Sequence, residues 1–261
     1  MSRPSPREVP ADAPPSAGAA SSPTLLAIET ATETMRLAVS AQGRMLTHDE
    51  DGGAKSSGRL LPAVLELLMQ AGISLQDLHA IAFGRGPGAF TGLRTACSVT
   101  QGLAFGAGIP VLPIDTLQVV AEAARAAGGH VDVWAALDAR MNEIYAARYR
   151  FPPANGAGGT GGWQTLAGPA LYDAASLSER MRLDGGDCVA GNALLVQGNR
   201  LDTHGLCTMP DAVPDASALM RLALAAWARG EAVDAAQALP LYIRDKVAQT
   251  TAEREAARAG A

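Results

Sequence analysis

The sequence predicts an α/β fold built from two related half-domains, each a mixed sheet with flanking helices. Three observations carry this expectation. Three short strand-like runs near the start are separated by turn residues, as in an antiparallel meander. Strand-like and helix-like segments alternate after them. A similar series then begins again near the middle of the chain.

In order, Leu25–Glu29, Met35–Ser40 and Arg44–Asp49 read as the meander. A helix over Ser57–Ala71 follows, with Gly72 placed to end it. A helical turn at Ser74–Asp77, a strand at Ala80–Phe83 and a helix at Thr91–Ala107, capped by Thr91, come next. The strand Val111–Ile114 leads through Asp115, a candidate cap, into a helix over Thr116–Ala127. The second series reads as strands Val133–Leu137, Glu143–Phe151 and Gln164–Leu166, a helix Ala174–Leu183, a short strand Cys188–Ala190 and a helix Ala216–Arg229. Residues 24–115 and 116–247 form the expected halves. Residues 1–23, rich in Pro, Ala and Ser and lacking an apolar signal core, read as a disordered tail. Residues 248–261 read as a flexible end, and the Gly-rich stretch 152–162 as a surface connection.

Composition narrows the function classes. With 261 residues, 48% of them hydrophobic, the chain can bury a sizeable core, made largely of aliphatic residues because aromatics are only 4%. The formal charge is −5 and the only lysines are Lys55 and Lys246. Gripping nucleic acid needs clustered cations, so contact with it would have to be indirect. Cys97, Cys188 and Cys207 stand at no metal spacing, and the four histidines are isolated, so no metal or other cofactor is expected. No apolar run reaches the ~18–20 residues of a membrane helix, and a cytoplasmic location is expected.

The most informative stretch is Ile81-Ala-Phe-Gly-Arg-Gly-Pro-Gly-Ala-Phe-Thr-Gly-Leu-Arg94. A strand breaks into a Gly-rich turn and restarts as a helix, a geometry that can present backbone N–H groups to an anion. The same glycines serve equally as a tight turn that brings helix and sheet together. Neither a Walker lysine nor G-x-G-x-x-G is present.

Gly84-Arg-Gly-Pro-Gly-Ala-Phe-Thr-Gly-Leu-Arg94 resembles the G-x-G-P-G-S-F-T-G-x-R signature of the TsaB (YeaZ) family. Leu25-Leu-Ala-Ile-Glu-Thr-Ala-Thr32, Ala136-Leu-Asp-Ala-Arg-Met-Asn-Glu-Ile-Tyr145 and Pro240-Leu-Tyr-Ile-Arg244 resemble other family segments in the same order, from Thr24 to about Val247. The resemblance implies an actin/hexokinase-like (ASKHA) fold. It also implies a non-catalytic partner of TsaD, the subunit that transfers threonylcarbamoyl to the adenosine beside the anticodon of tRNA. An ATPase, TsaE, joins them, and the isolated chain is a candidate homodimer. The alternative is a stand-alone ATP-dependent ASKHA kinase or transferase. TsaD holds a metal through a histidine pair. The corresponding Lys55-Ser-Ser-Gly58 has no histidine, which also disfavours a metallopeptidase.

No residue is assigned a catalytic role. A vestigial phosphate site or cleft is expected at Glu29, Thr32, Gly86, Gly88, Asp138 and Arg140. Glu29 stands where the family has aspartate, and Ala31 replaces the glycine of the kinase phosphate turn. Asp138, Arg140 and Glu143 read either as a cleft cluster or as a hairpin ion-pair network, and Arg244 either pins the C-terminal segment or touches a partner. The apolar arc of the first long helix is wider than one sheet needs. The resemblance then places the partner interface on Leu60, Leu61, Val64 and Leu68, with Leu93, Cys97, Thr100 and Ala104 of the next helix.

Overall fold

A computed structural model describes residues 7–9, 22–52, 56–152 and 162–244. The first half contains β1 (Arg7–Val9), β2 (Leu25–Glu29), β3 (Thr34–Ala41), β4 (Arg44–Asp51), α1 (Ser56–Gln70), β5 (Ala80–Gly86), α2 (Phe90–Ala107), β6 (Val111–Asp115) and α3 (Thr116–Gly128). The second contains β7 (Asp132–Asp138), β8 (Glu143–Arg150), β9 (Gln164–Asp173), α4 (Ala174–Asp184), β10 (Cys188–Ala190), α5 (Ala193–Gln197), β11 (Cys207–Met209) and α6 (Ala216–Ala228).

The sheets run β1-β4-β3-β2-β5-β6 and β11-β10-β7-β8-β9. Leaving out β1, they share one plan: an antiparallel meander whose first strand pairs in parallel with a fourth, and that with a fifth. Each strand of the second half thus has a counterpart in the first. This is the ASKHA arrangement of mixed sheets with flanking helices.

Alternation along the strands explains the layers. Leu26, Ile28, Met35, Leu37, Val39, Ile81 and Phe83 face α1 and α2, while Leu25, Ala27, Ala38, Ala80 and Ala82 face α6. In the second sheet, Val133, Ala135 and Leu137 face α3, and Trp134, Ala136 and Ile144 face α4. The helices α3 and α6 therefore form a middle layer between the sheets. Glu122 of α3, 2% exposed, ties this layer together. It accepts hydrogen bonds from Arg221 of α6 (2.7 Å), Arg125 (2.8 Å) and Trp163 (3.0 Å).

The structure departs from the sequence reading at several points. Arg7–Val9 lies within the segment read as a disordered tail, yet forms an antiparallel strand on β4, whose outer edge otherwise offers unpaired backbone groups. The N-cap of α2 is Ala89, so Thr91 lies inside the first turn instead of capping it. Asp115 is the N-cap residue of α3, but its carboxylate accepts from Arg85 at 2.5 Å and makes no cap hydrogen bond. β9 runs well beyond Leu166, through Gly168 and Pro169, which an edge strand tolerates. The break at 115/116 falls between β6 and α3, and α3 packs on the second sheet; α6, in contrast, returns to the first. Residues 153–161 of the Gly-rich stretch and residues 248–261 lie outside the described residues.

The interface expectation also changes. Leu60, Val64, Leu68, Cys97 and Ala104 belong to the first core cluster, and Leu93 and Thr100 are likewise buried. Sheet contact consumes that side of both helices, leaving Leu61 as the exposed member of the set. The outer face of α1 is instead a line of Leu61 (42% exposed), Leu65 (50%) and Met69 (72%), spaced four residues apart, with Phe105 (62%) outward on α2. Thr100 is fully buried, so Thr100→Arg is expected to destabilise the fold by about 3–5 kcal/mol through an unpaired buried charge. Urea unfolding of the purified variant measures this, and wild-type stability would show that the site is open.

Candidate functional site

The Gly-rich turn between β5 and α2 sits against the turn that leaves β2. The Ala89 N–H donates to the Ala31 carbonyl at 2.8 Å, and the Thr30 hydroxyl donates to the Gly92 carbonyl at 2.8 Å. A Cβ added at Gly92 would lie 2.0 Å from the Thr30 oxygen, and one at Gly84 would lie 2.0 Å from a Glu29 carboxylate oxygen. Gly86 has φ +108° and precedes a cis proline; its N–H donates to the Thr116 hydroxyl at 3.2 Å. Of the two readings of this turn, the geometry favours close packing of one backbone on another.

Glu29 is fully buried at the centre of this contact. Its carboxylate accepts from the Ala31 N–H (2.7 Å) and the Thr116 hydroxyl (3.2 Å). Burial pushes the carboxyl up to about 7, although these hydrogen bonds and the charge of Arg36 pull the other way. Glu29 and Gly86 therefore sit behind the cleft and do not line it.

The cleft itself, about 210 Å³, lies between the halves. It brings together four of the expected residues: Thr32, Gly88, Asp138 and Arg140. Glu33, Phe90, Tyr145, Asn192 and Arg244 also line it, and the sequence reading gave none of these a cleft role. The Arg140 guanidinium meets Glu33 across the cleft at 2.9 Å, with both side chains largely exposed, a geometry worth ~0–1 kcal/mol.

The wall of the cleft contributed by the second half is strained. Arg140, Met141 and Asn142, between β7 and β8, are successive left-handed residues with φ of 63°, 55° and 62°. Such non-glycine residues cost ~1 kcal/mol or more each, so their surroundings must hold them. The Asp138 carboxylate accepts from the Arg140 N–H (3.1 Å), and the Glu143 N–H donates to the Arg140 carbonyl (3.0 Å). Arg200 donates to the Asn142 side chain (2.9 Å), and Asn192 accepts from the Asp138 N–H (2.9 Å). Arg244 donates to the Glu143 carboxylate and approaches the Arg140 carbonyl. The structure thus gives Arg244 the pinning role. Its segment is anchored in turn by the Leu241 N–H on the Arg85 carbonyl (2.7 Å) and by Tyr242, which stacks on Phe90 and accepts from Arg94 (2.9 Å).

Glu29 gives a pH test. Its carboxyl is raised from 4.5 to about 7 in the folded chain, so between those values the native state holds a proton that the unfolded state has lost. Stability should therefore fall as pH rises through this window, by about 3 kcal/mol. Glu29→Gln keeps the acceptor for Ala31 and removes the charge. It should be more stable than wild type at pH 8, by about 1–3 kcal/mol, and equal to it below about pH 4.5. Urea titrations across this range check it, and parallel profiles for the two proteins would refute it.

Residues 46–159 match the family model described as TsaD, tRNA N6-adenosine threonylcarbamoyltransferase. The tRNA threonylcarbamoyladenosine biosynthesis protein TsaB of Escherichia coli (strain K12) is 34% identical over 227 residues, covering 86% of this chain and 96% of that protein. The TsaB of Haemophilus influenzae is 32% identical, covering 86% and 94%. The solved structure of YeaZ from Pseudomonas aeruginosa superposes with a TM-score of 0.75 at 39% identity, covering 84% of this chain and 99% of that one. With two sheets of one plan and 32–39% identity over nearly the whole length of these relatives, the chain belongs to the TsaB (YeaZ) family.

Proposed function

We propose that this chain is a non-catalytic subunit of the system that makes threonylcarbamoyladenosine in tRNA, pairing with a TsaD-like transferase and working with a TsaE-like ATPase in the cytoplasm. Membership of the TsaB family is the observation that carries this reading, since the E. coli and H. influenzae relatives are named for that biosynthesis. Two features of the chain support the non-catalytic part. The carboxylate at the expected nucleotide turn, Glu29, is buried and committed to Ala31 and Thr116. The Gly-rich turn, for its part, spends the Ala89 and Gly86 N–H groups on protein acceptors. The formal charge of −5 supports tRNA contact through another subunit.

The outer face of α1 supports the pairing. Leu61, Leu65 and Met69 form an exposed apolar line on α1, and Phe105 is exposed on α2, a pattern suited to a partner's helices. A second copy of the chain could cover the same face in a homodimer. The second reading, a stand-alone ATP-dependent kinase or transferase, draws on the cleft and its Asp138 and Arg140. Nucleotide binding and turnover by the chain alone separate the two.

Chain freed of its partners should show no threonylcarbamoyl transfer or ATP hydrolysis, and robust turnover would overturn the assignment. Leu65→Asp and Met69→Asp place charges on the exposed face, so both should keep native circular dichroism. Affinity for the TsaD-like partner should fall by about a hundredfold, or ~2.7 kcal/mol. Native affinity in both variants would move the interface elsewhere.

A further inference from the structure

The topology assembles a side-chain cluster that linear spacing does not reveal. Cys188 begins β10 and Cys207 begins β11, and the two are direct partners in a parallel ladder. His130 lies between the end of α3 and the start of β7, on which β10 also pairs. The Cys188 Sγ, the Cys207 Sγ and a His130 ring nitrogen all lie within 4.8 Å of one another. His130 Nε2 is 3.5 Å from Cys207 Sγ. Cys188 is buried, His130 half-buried and Cys207 exposed, so the cluster has a closed inner side and a route to solvent.

We propose that Cys188, Cys207 and His130 form a binding site for a thiophilic cation, with Zn²⁺ the ion it fits. Zinc takes thiolate sulfur at ~2.3 Å and imidazole nitrogen at ~2.0–2.1 Å in a tetrahedron, which sets sulfur and nitrogen about 3.6 Å apart. The spacing of 3.5 Å between Cys207 and His130 already matches that edge. Two sulfurs and one nitrogen leave a fourth position for water or an added ligand. On binding, each thiol gives its proton to solvent and its sulfur donates an electron pair to the metal, with no oxidant or reductant required.

Gly128 is a second, independent feature of the site. Its φ is not in the left-handed region, so backbone conformation does not call for glycine there. A Cβ at this position would lie 2.7 Å from Cδ2 and 2.8 Å from Nε2 of His130, and 3.3 Å from Met209 Sδ. The missing Cβ therefore leaves the space in which the imidazole lies against the two thiols. Cys97, the remaining cysteine, belongs to the core under α1 and α2, and serves as an internal control.

The test uses the full chain, kept reduced with a phosphine, and titrates Zn²⁺ against a chromophoric chelator with Co²⁺ as the spectroscopic probe. One Zn²⁺ per chain is expected. The Co²⁺ form should show thiolate-to-metal charge-transfer absorption and the d–d bands of a tetrahedral site. Cys207→Ser, on an exposed edge strand, should lose the charge-transfer intensity due to one thiolate and weaken Zn²⁺ binding at least about tenfold. His130→Ala should weaken it similarly. Gly128→Ala should do so with all three ligands present, and Cys97→Ser should leave it unchanged. Circular dichroism of the metal-free variants verifies folding, and Cys207→Ser alone decides the matter where another variant fails to fold. The proposal is overturned if wild type binds no Zn²⁺, if Cys207→Ser binds it as tightly as wild type, or if the Co²⁺ spectrum lacks thiolate charge transfer.

Discussion

The architecture depends on one close approach, that of the Gly-rich turn after β5 to the turn after β2. Thr30 and Glu29 occupy the volumes that Cβ atoms would fill at Gly92 and Gly84. The contact sets the height of α2 above the first sheet, and thereby the layer in which α1 lies beside it. It also sets Gly88 and Phe90 at the cleft, opposite the β7–β8 turn. Glycine is required here chiefly for proximity, since the Ala89 and Gly86 N–H groups of the turn meet the Ala31 carbonyl and the Thr116 hydroxyl.

The second organising constraint is the exchange of helices between halves. α3 leaves the first half to pack on the second sheet, and α6 returns to the first. Small side chains (Ala121 and Ala124 on α3, Ala218, Ala223 and Ala226 on α6) let the helices lie close to the sheets they cover. Burial raises the carboxyl of Glu122, but hydrogen bonds from Arg125, Arg221 and Trp163 outweigh it and hold the group below its usual range. The charge is thus kept at the junction of α3, α6 and the segment before β9. At the cleft the two sides differ in character: a glycine contact on one, and on the other a left-handed turn held by Arg244, Arg200 and Asn192.

Much of the fold was legible because its patterns are local. The meander, the strands flanking α2 and the glycines ending helices each announce themselves within a few residues. What was not legible depends on distant neighbours. The apolar arc of α1 is as wide as expected, but periodicity alone did not say that Leu60 and Val64 face the sheet while Leu65 and Met69 face outward. Thr100 shares a line with Leu93 and Cys97, and that line faces inward. Arg7–Val9 gains order from the edge of β4, which composition does not encode. Four of the six expected cleft residues do line the cleft, whereas Glu29 and Gly86 lie behind it. Glu33, Tyr145 and Asn192 escaped notice because they come from separate turns and strands. His130, Cys188 and Cys207 meet only through the order of β7, β10 and β11.

The central claim, that the Gly-rich turn is a packing contact, is tested most directly by comparing two Gly→Ala substitutions within α2. Gly102 has nothing within 4 Å of its would-be Cβ, so Gly102→Ala should gain about 0.5–1 kcal/mol from helix propensity alone. Gly92→Ala drives a methyl into the Thr30 carbonyl and should lose about 1–3 kcal/mol, although it too replaces a helical glycine. Equal stabilisation of both variants in urea titrations would contradict the account.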